Sequence, residues 1–211
     1  MLIDGPAQPR ATVVLAHGAG APMDTPFMDT IASGLAAQDV RVVRFEFPYM
    51  AKRRADGKRR GPDRMPALLE SWRDTLATLG SDTAPVFIGG KSMGGRAAAT
   101  FASDDNNADS IAGVICLGYP FHPAEKPEKT RLEPLQAATR PVLVVQGERD
   151  RLGAQEEVLA YELPQLIELD WIPDGDHSFV PRKSSGHTES ENLARAVTHI
   201  TAFIDRVMRN G

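Results

Sequence analysis

The chain has 211 residues, 42% hydrophobic and 25% charged, with a net charge of −4. This composition is ordinary for a globular protein and gives no general attraction for nucleic acid. No apolar run approaches the roughly 18 residues that a membrane span needs, and residues 1–6 lack a basic leader, so a cytoplasmic location away from membranes is expected.

With no linker, repeat or compositional break, residues 1–211 are expected to form one domain around a single core. Runs rich in Val, Ile, Leu and Phe recur at 11–16, 41–47, 85–89, 111–117, 141–146 and 166–171. Most are continuous rather than alternating, as in strands buried on both faces of a parallel sheet. Helical segments are expected at 27–37, 66–79, 93–102, 154–163 and 189–208. Strands alternating with helices predict a doubly wound α/β domain, its mostly parallel sheet having six strands or seven. The single cysteine, Cys116, lies inside an apolar run and is read as a buried strand residue. Trp72 and Trp171 are assigned to packing.

In such a sheet, the loops leaving the carboxyl ends of the strands open on one face, and ligands bind there. The polar residues that follow the runs are His17-Gly18-Ala19-Gly20, Ser92, Asp150 and His177. Ser92 lies in Gly90-Lys91-Ser92-Met93-Gly94, between a strand and a helix. Glycines on both sides let the backbone turn sharply and expose the hydroxyl as a nucleophile. Gly90-Lys91-Ser92 also imitates the end of a phosphate-binding loop, but that motif needs a glycine where this chain has Pro85. Nucleotide binding is therefore a poor alternative.

A serine needs a base to take its proton, and a neutral imidazole, with a pKa of ~6.5, suits that task. The chain has five histidines. His17 precedes the nucleophile, His122 lies in a long loop, and His187 and His199 belong to the last helix or its edge. His177 follows the final strand on a turn-rich loop, which favours it as the base. Asp150, just after a buried strand and a glycine turn, is the preferred orienting acid. Glu148 is closer to the strand end, and Asp174 and Asp176 also read as turn formers.

Ser92, Asp150 and His177 occur in the chain order of the alpha/beta-hydrolases, which the sequence resembles from Thr12 to its last helix. Gly89–Arg96, Leu117–Pro123, Gln146–Asp150 and Gly175–Phe179 are similar to the small bacterial branch related to dienelactone hydrolases. That branch includes the Tex-type and non-specific-lethal-complex proteins of eukaryotes. Dienelactone hydrolases use a cysteine nucleophile, so Ser92 argues against lactone specificity. The resemblance implies a minimal fold without a large lid. It also implies an oxyanion hole formed by the backbone N–H groups of Met93 and Ala19.

Residues 51–64 carry seven basic side chains against two acids. They are expected to form a loop at the rim, where Arg53 and Arg54 attract an anionic substrate, or else a solvated loop that contacts nothing. Residues 119–134 are expected to form a proline-restricted cap with Tyr119 and Phe121 in the pocket; Tyr49, Met50 and Phe179 are further candidates for its walls. The leading function is a serine hydrolase acting on a small ester or thioester through an acyl-enzyme. The alternatives are a catalytically silent interaction module and a small-peptide or amide hydrolase. There is no zinc-site pattern, and no cofactor is expected.

Overall fold

The computed structural model describes residues 1–80, 84–108 and 110–210. Its strands are β1 (Leu2–Asp4), β2 (Ala11–Ala16), β3 (Val40–Phe45), β4 (Val86–Lys91), β5 (Gly113–Leu117), β6 (Val142–Gly147) and β7 (Ile167–Ile172). They form one seven-stranded sheet in the order β1-β3-β2-β4-β5-β6-β7. Only β1 runs antiparallel to its neighbour. The helices are α1 (Pro26–Ala36), α2 (Pro48–Asp56), α3 (Met65–Ala77), α4 (Met93–Ala102), α5 (Asp105–Ala108), α6 (Glu133–Gln136), α7 (Gln155–Val158) and α8 (Glu189–Asn210).

The continuous apolar runs divide by parity between two cores, because successive strand side chains point to opposite faces. Val13, Leu15, Phe87, Ile115, Leu117, Leu143 and Val145 pack with α1 and α8. Val14, Ala16, Ile88, Val114, Cys116, Val142 and Val144 pack with α2, α3 and α4 on the other face. Each such Val, Leu, Ile or Phe side chain fully withdrawn from water contributes about 1.5–3 kcal/mol. Cys116 is fully buried, which pushes its thiol pKa up. Trp72 is likewise fully buried, and Trp171 packs at the margin of the same core.

Local signals set several helix starts. Thr25 caps α1, accepting the Met28 N–H, with Pro26 in the first turn. Thr188 and Glu191 form a reciprocal box at the start of α8: Thr188 N–H donates to Glu191 Oε2 at 2.8 Å, and Glu191 N–H to Thr188 Oγ1 at 3.2 Å.

The structure supplies the seventh strand and corrects three expectations. A short β1 joins the sheet edge, where its side chains are largely exposed and leave no apolar signature. Residues 48–56 are helical rather than loop: Pro48 opens α2 and Gly57, at φ 72°, closes it. The helix expected at 154–163 is only α7, which tightens into i→i+3 bonds as Ala160 and Tyr161 donate to Glu157 and Val158. β7 is an edge strand and half-exposed, so continuous burial fails there.

Strand order reverses beside β2, because β3 lies on one side of it and β4 on the other. The carboxyl ends of β2 and β4 therefore flank a topological switch point, the usual position of a ligand crevice in open α/β sheets.

Candidate active site

Ser92 is the one residue between β4 and α4. Its backbone adopts φ 52° and ψ −114°, a conformation that costs a non-glycine residue on the order of 1–3 kcal/mol. The turn persists because its surroundings hold it. Ser92 N–H donates to Leu117 O at 2.9 Å, and Ser92 O accepts the Arg96 N–H at 3.0 Å. The flanking glycines are required by close approach. A Cβ on Gly90 would stand 2.2 Å from Ala16 O, and one on Gly94 2.5 Å from the same oxygen. The start of α4 is thus pressed against the end of β2, and the Met93 N–H falls in a first turn whose N–H groups lack intrahelical acceptors.

The loop after β2 passes beside this turn, since a Cβ on Gly18 would lie 3.8 Å from Ser92 Cβ. His17 Nε2 accepts the Phe47 N–H at 3.1 Å, so Nδ1 carries the proton and donates to Gly18 O at 2.7 Å. Burial lowers the His17 pKa and favours this neutral form. Tyr49 Oη, on α2, donates to Ala19 O at 2.9 Å and Gly18 O at 3.3 Å. Burial raises the Tyr49 pKa to about 12, so its hydroxyl stays a donor. In a trans peptide the N–H of Ala19 points opposite the Gly18 carbonyl. Holding that carbonyl toward His17 and Tyr49 therefore turns the Ala19 N–H the other way.

Asp150, fully buried after β6, and His177, on the loop after β7, meet directly: His177 Nδ1 donates to Asp150 Oδ2 at 2.7 Å. The remaining carboxylate capacity is also used. Oδ1 accepts the Leu152 N–H at 2.9 Å, and Oδ2 accepts the Gln146 amide, also at 2.9 Å. The Gln146 amide is fixed in turn by Gly153 O at 3.1 Å and Tyr119 O at 3.2 Å. His177 Nε2 and the Ser92 hydroxyl make no hydrogen bond among the described residues. Such pairs are often loose without substrate. The two residues share a support in β5: Ser92 bonds to Leu117 O, while a Cβ on the next residue, Gly118, would lie 3.3 Å from His177 Nδ1.

The loop that carries His177 is tied down on both sides. Asp174 N–H donates to Glu148 Oε2 at 2.7 Å, and the Asp174 carboxylate accepts the Arg182 N–H at 2.7 Å and its Nε at 2.8 Å. The Arg182 guanidinium is the main cause that holds the Asp174 pKa at about 2. Asp176 Oδ1 accepts the Ser178 and Val180 N–H groups, the turn-forming role its sequence position implies.

The substrate-facing expectations are altered. Tyr119 and Phe121 are fully buried, and Tyr119 Oη donates to Arg131 O at 2.8 Å. They pack beneath the 119–134 segment and present no surface to an open pocket. Tyr49, Met50 and Phe179 are buried as well. Arg54 is no free cation: it pairs with Glu46 at 2.6 Å and Asp24 at 2.8 Å. Burial acts to raise the Glu46 pKa, but Arg54 and the Met23 N–H bring it below its ordinary value. Arg53 donates to Gly20 O at 3.3 Å and so braces the loop after β2. Sequence reasoning gave no role to Gln146 or Lys91, although both lie in motifs it singled out; it read Tyr49 only as a candidate pocket wall and set His17 aside as preceding the nucleophile. Among the described residues, no group of three or more His, Cys, Asp or Glu is placed to hold a metal ion. No helix among them is long and apolar enough to cross a membrane.

A sheet of this order, with its serine turn at the switch point, defines the alpha/beta-hydrolase class. Residues 9–205 match the family model described as an alpha/beta hydrolase domain, and the chain belongs to that family. Among solved structures, a dienelactone hydrolase from Anabaena variabilis is similar at 19% identity, with a TM-score of 0.74 over 97% of this chain and 89% of that one. Est1E from Butyrivibrio proteoclasticus is similar at 16% identity, with a TM-score of 0.70 over 97% and 93% of the two chains. XC6422 from Xanthomonas campestris, described as a serine hydrolase without a lid, matches at 18% identity with a TM-score of 0.67 over 99% and 87%. Among the described residues, this chain likewise carries the fold without a lid.

Proposed function

We propose that the protein is a serine hydrolase that cleaves a small carboxylic ester or thioester through an acyl-enzyme. Ser92 Oγ attacks the carbonyl carbon while His177 Nε2 takes its proton. Asp150 holds the imidazole by Nδ1–H and stabilises the imidazolium that forms. The developing alkoxide is met by the N–H groups of Met93 and Ala19, each such donor being worth ~3 kcal/mol in the transition state. His177 then protonates the leaving group, and water, activated by the same imidazole, releases the acid.

The observation that carries this reading is the 2.7 Å bond from His177 to the buried Asp150, at the sheet end where the strained Ser92 turn lies. A buried carboxylate is costly unless paired, and this one aligns a ring whose other nitrogen has no partner among the described residues. Family membership and the esterase and dienelactone hydrolase neighbours support hydrolysis.

A fluorophosphonate probe tests the reading. The folded protein is expected to label, Ser92→Ala to lose both labelling and hydrolysis of short p-nitrophenyl esters, and activity to fall as acyl length grows. Folded protein that neither labels nor turns over ester, thioester or amide substrates would instead indicate a binding module.

A further inference from the structure

Lys91 immediately precedes Ser92, and the mechanism above makes no use of it. Its side chain is half-buried and lies against Gly18 and Gly118. The ammonium donates to the backbone carbonyl of His177, and among the described residues no other group bonds that oxygen. Nζ lies 5.2 Å from the Phe27 ring centroid and 5.8 Å from that of Phe179. A Cβ on Gly118 would stand 2.8 Å from Nζ, so the ammonium packs directly against this glycine. No carboxylate forms an ion pair with this ammonium among the described residues.

A half-buried cation that bonds one neutral carbonyl and lies beside two aromatic rings adds little to the stability of a fold. The bond does join two parts that hydrolysis needs together. The Lys91 backbone ends β4, one residue before the nucleophile, while its ammonium reaches the main chain of the histidine 86 positions later. The Asp150 bond orients the His177 ring, and the Lys91 bond fixes the backbone from which that ring projects.

We propose that Lys91 is a positioning residue, its ammonium holding the His177 main chain in register with Ser92 so that Nε2 meets the hydroxyl. This rests on reading Ser92, Asp150 and His177 as the catalytic triad. The groups around the ammonium are Asp150 after β6, Asp176 and His177 on the loop after β7, and the apolar Phe27 and Phe179. Burial dominates among them and lowers the Lys91 pKa to about 8, with Asp150 and Asp176 opposing. Above that pH the ammonium becomes an amine, a weaker donor to the carbonyl.

The test compares wild type, Lys91→Met, Lys91→Arg and Ser92→Ala, using a short p-nitrophenyl ester, pH profiles and thermal melts. Lys91→Met is expected to melt no lower than wild type and to keep its KM, while kcat falls by up to on the order of 10²-fold, the cost of a small misplacement. The wild-type kcat is expected to decline above pH about 8, and Lys91→Met to lack that decline. Lys91→Arg is expected to recover part of kcat and to carry no decline in the same range. A folded Lys91→Met with unchanged kcat and pH profile would overturn the proposal. Should Lys91→Met not fold, a folded Lys91→Arg that keeps the wild-type decline would overturn it equally. Hydrolysis surviving in Ser92→Ala would instead overturn the triad reading on which the proposal rests.

Discussion

His177 Nδ1 lies 2.7 Å from Oδ2 of Asp150, a carboxylate with no exposure to water. Asp150 accepts from His177, Gln146 and the Leu152 N–H, so it acts only as an acceptor. In Asp150→Asn the new amide must turn a donor toward one of these groups, and the imidazole loses its preferred tautomer. Expected is a folded protein with kcat reduced by roughly 10⁴-fold, checked by ester hydrolysis beside far-ultraviolet circular dichroism. Undiminished kcat in the folded variant would remove Asp150 from the assignment.

The hydroxyl of Tyr49 holds two successive carbonyls of the loop after β2. Tyr49→Phe keeps the buried ring and deletes only those bonds, leaving the Ala19 N–H less firmly aimed. A loss of about 1 kcal/mol corresponds to a roughly fivefold fall in kcat, with KM nearly unchanged. Steady-state kinetics would show it; a rise in KM at constant kcat would mean that Tyr49 serves substrate binding instead.

Asp174 anchors the His177 loop, and its folded pKa of about 2 lies below the ordinary 3.8. The folded state thus binds fewer protons in this window. The stabilising contribution is complete above pH 3.8 and is lost as pH falls toward about 2. Arg182→Ala removes the main cause of the shift, so acid unfolding should begin at higher pH, by roughly a few tenths of a unit. Tryptophan fluorescence followed through an acid titration measures this directly, and coincident curves for the two proteins would count against the anchor.

The alternation of strands and helices was legible because burial on both faces of a parallel sheet leaves long apolar runs, and all five inner strands, β2 to β6, show them. The bounds of β2 and α4 coincide with those expected, since a strand-to-helix turn through glycine is a local steric matter. Where local signals were weak, the reading failed. α2 has charged residues at Lys52, Arg53, Arg54 and Asp56 and buries only Tyr49 and Met50, so its residues read as a basic loop. β1 is short and exposed.

By itself, the sequence determined which side chains follow which strands and in what order, because chain order and local backbone sterics are properties of neighbouring residues. Ser92, Asp150 and His177 could be named on that basis. Tertiary structure alone decided what each one touches. Lys91 reaches a carbonyl 86 positions away, Tyr49 grips a loop 30 positions earlier, and Arg54 is neutralised by Asp24, also 30 positions distant. Those contacts exist because the fold brings the segments after β2, β3, β4 and β7 to one end of the sheet, and hydrogen bonds and ion pairs act only across such short distances.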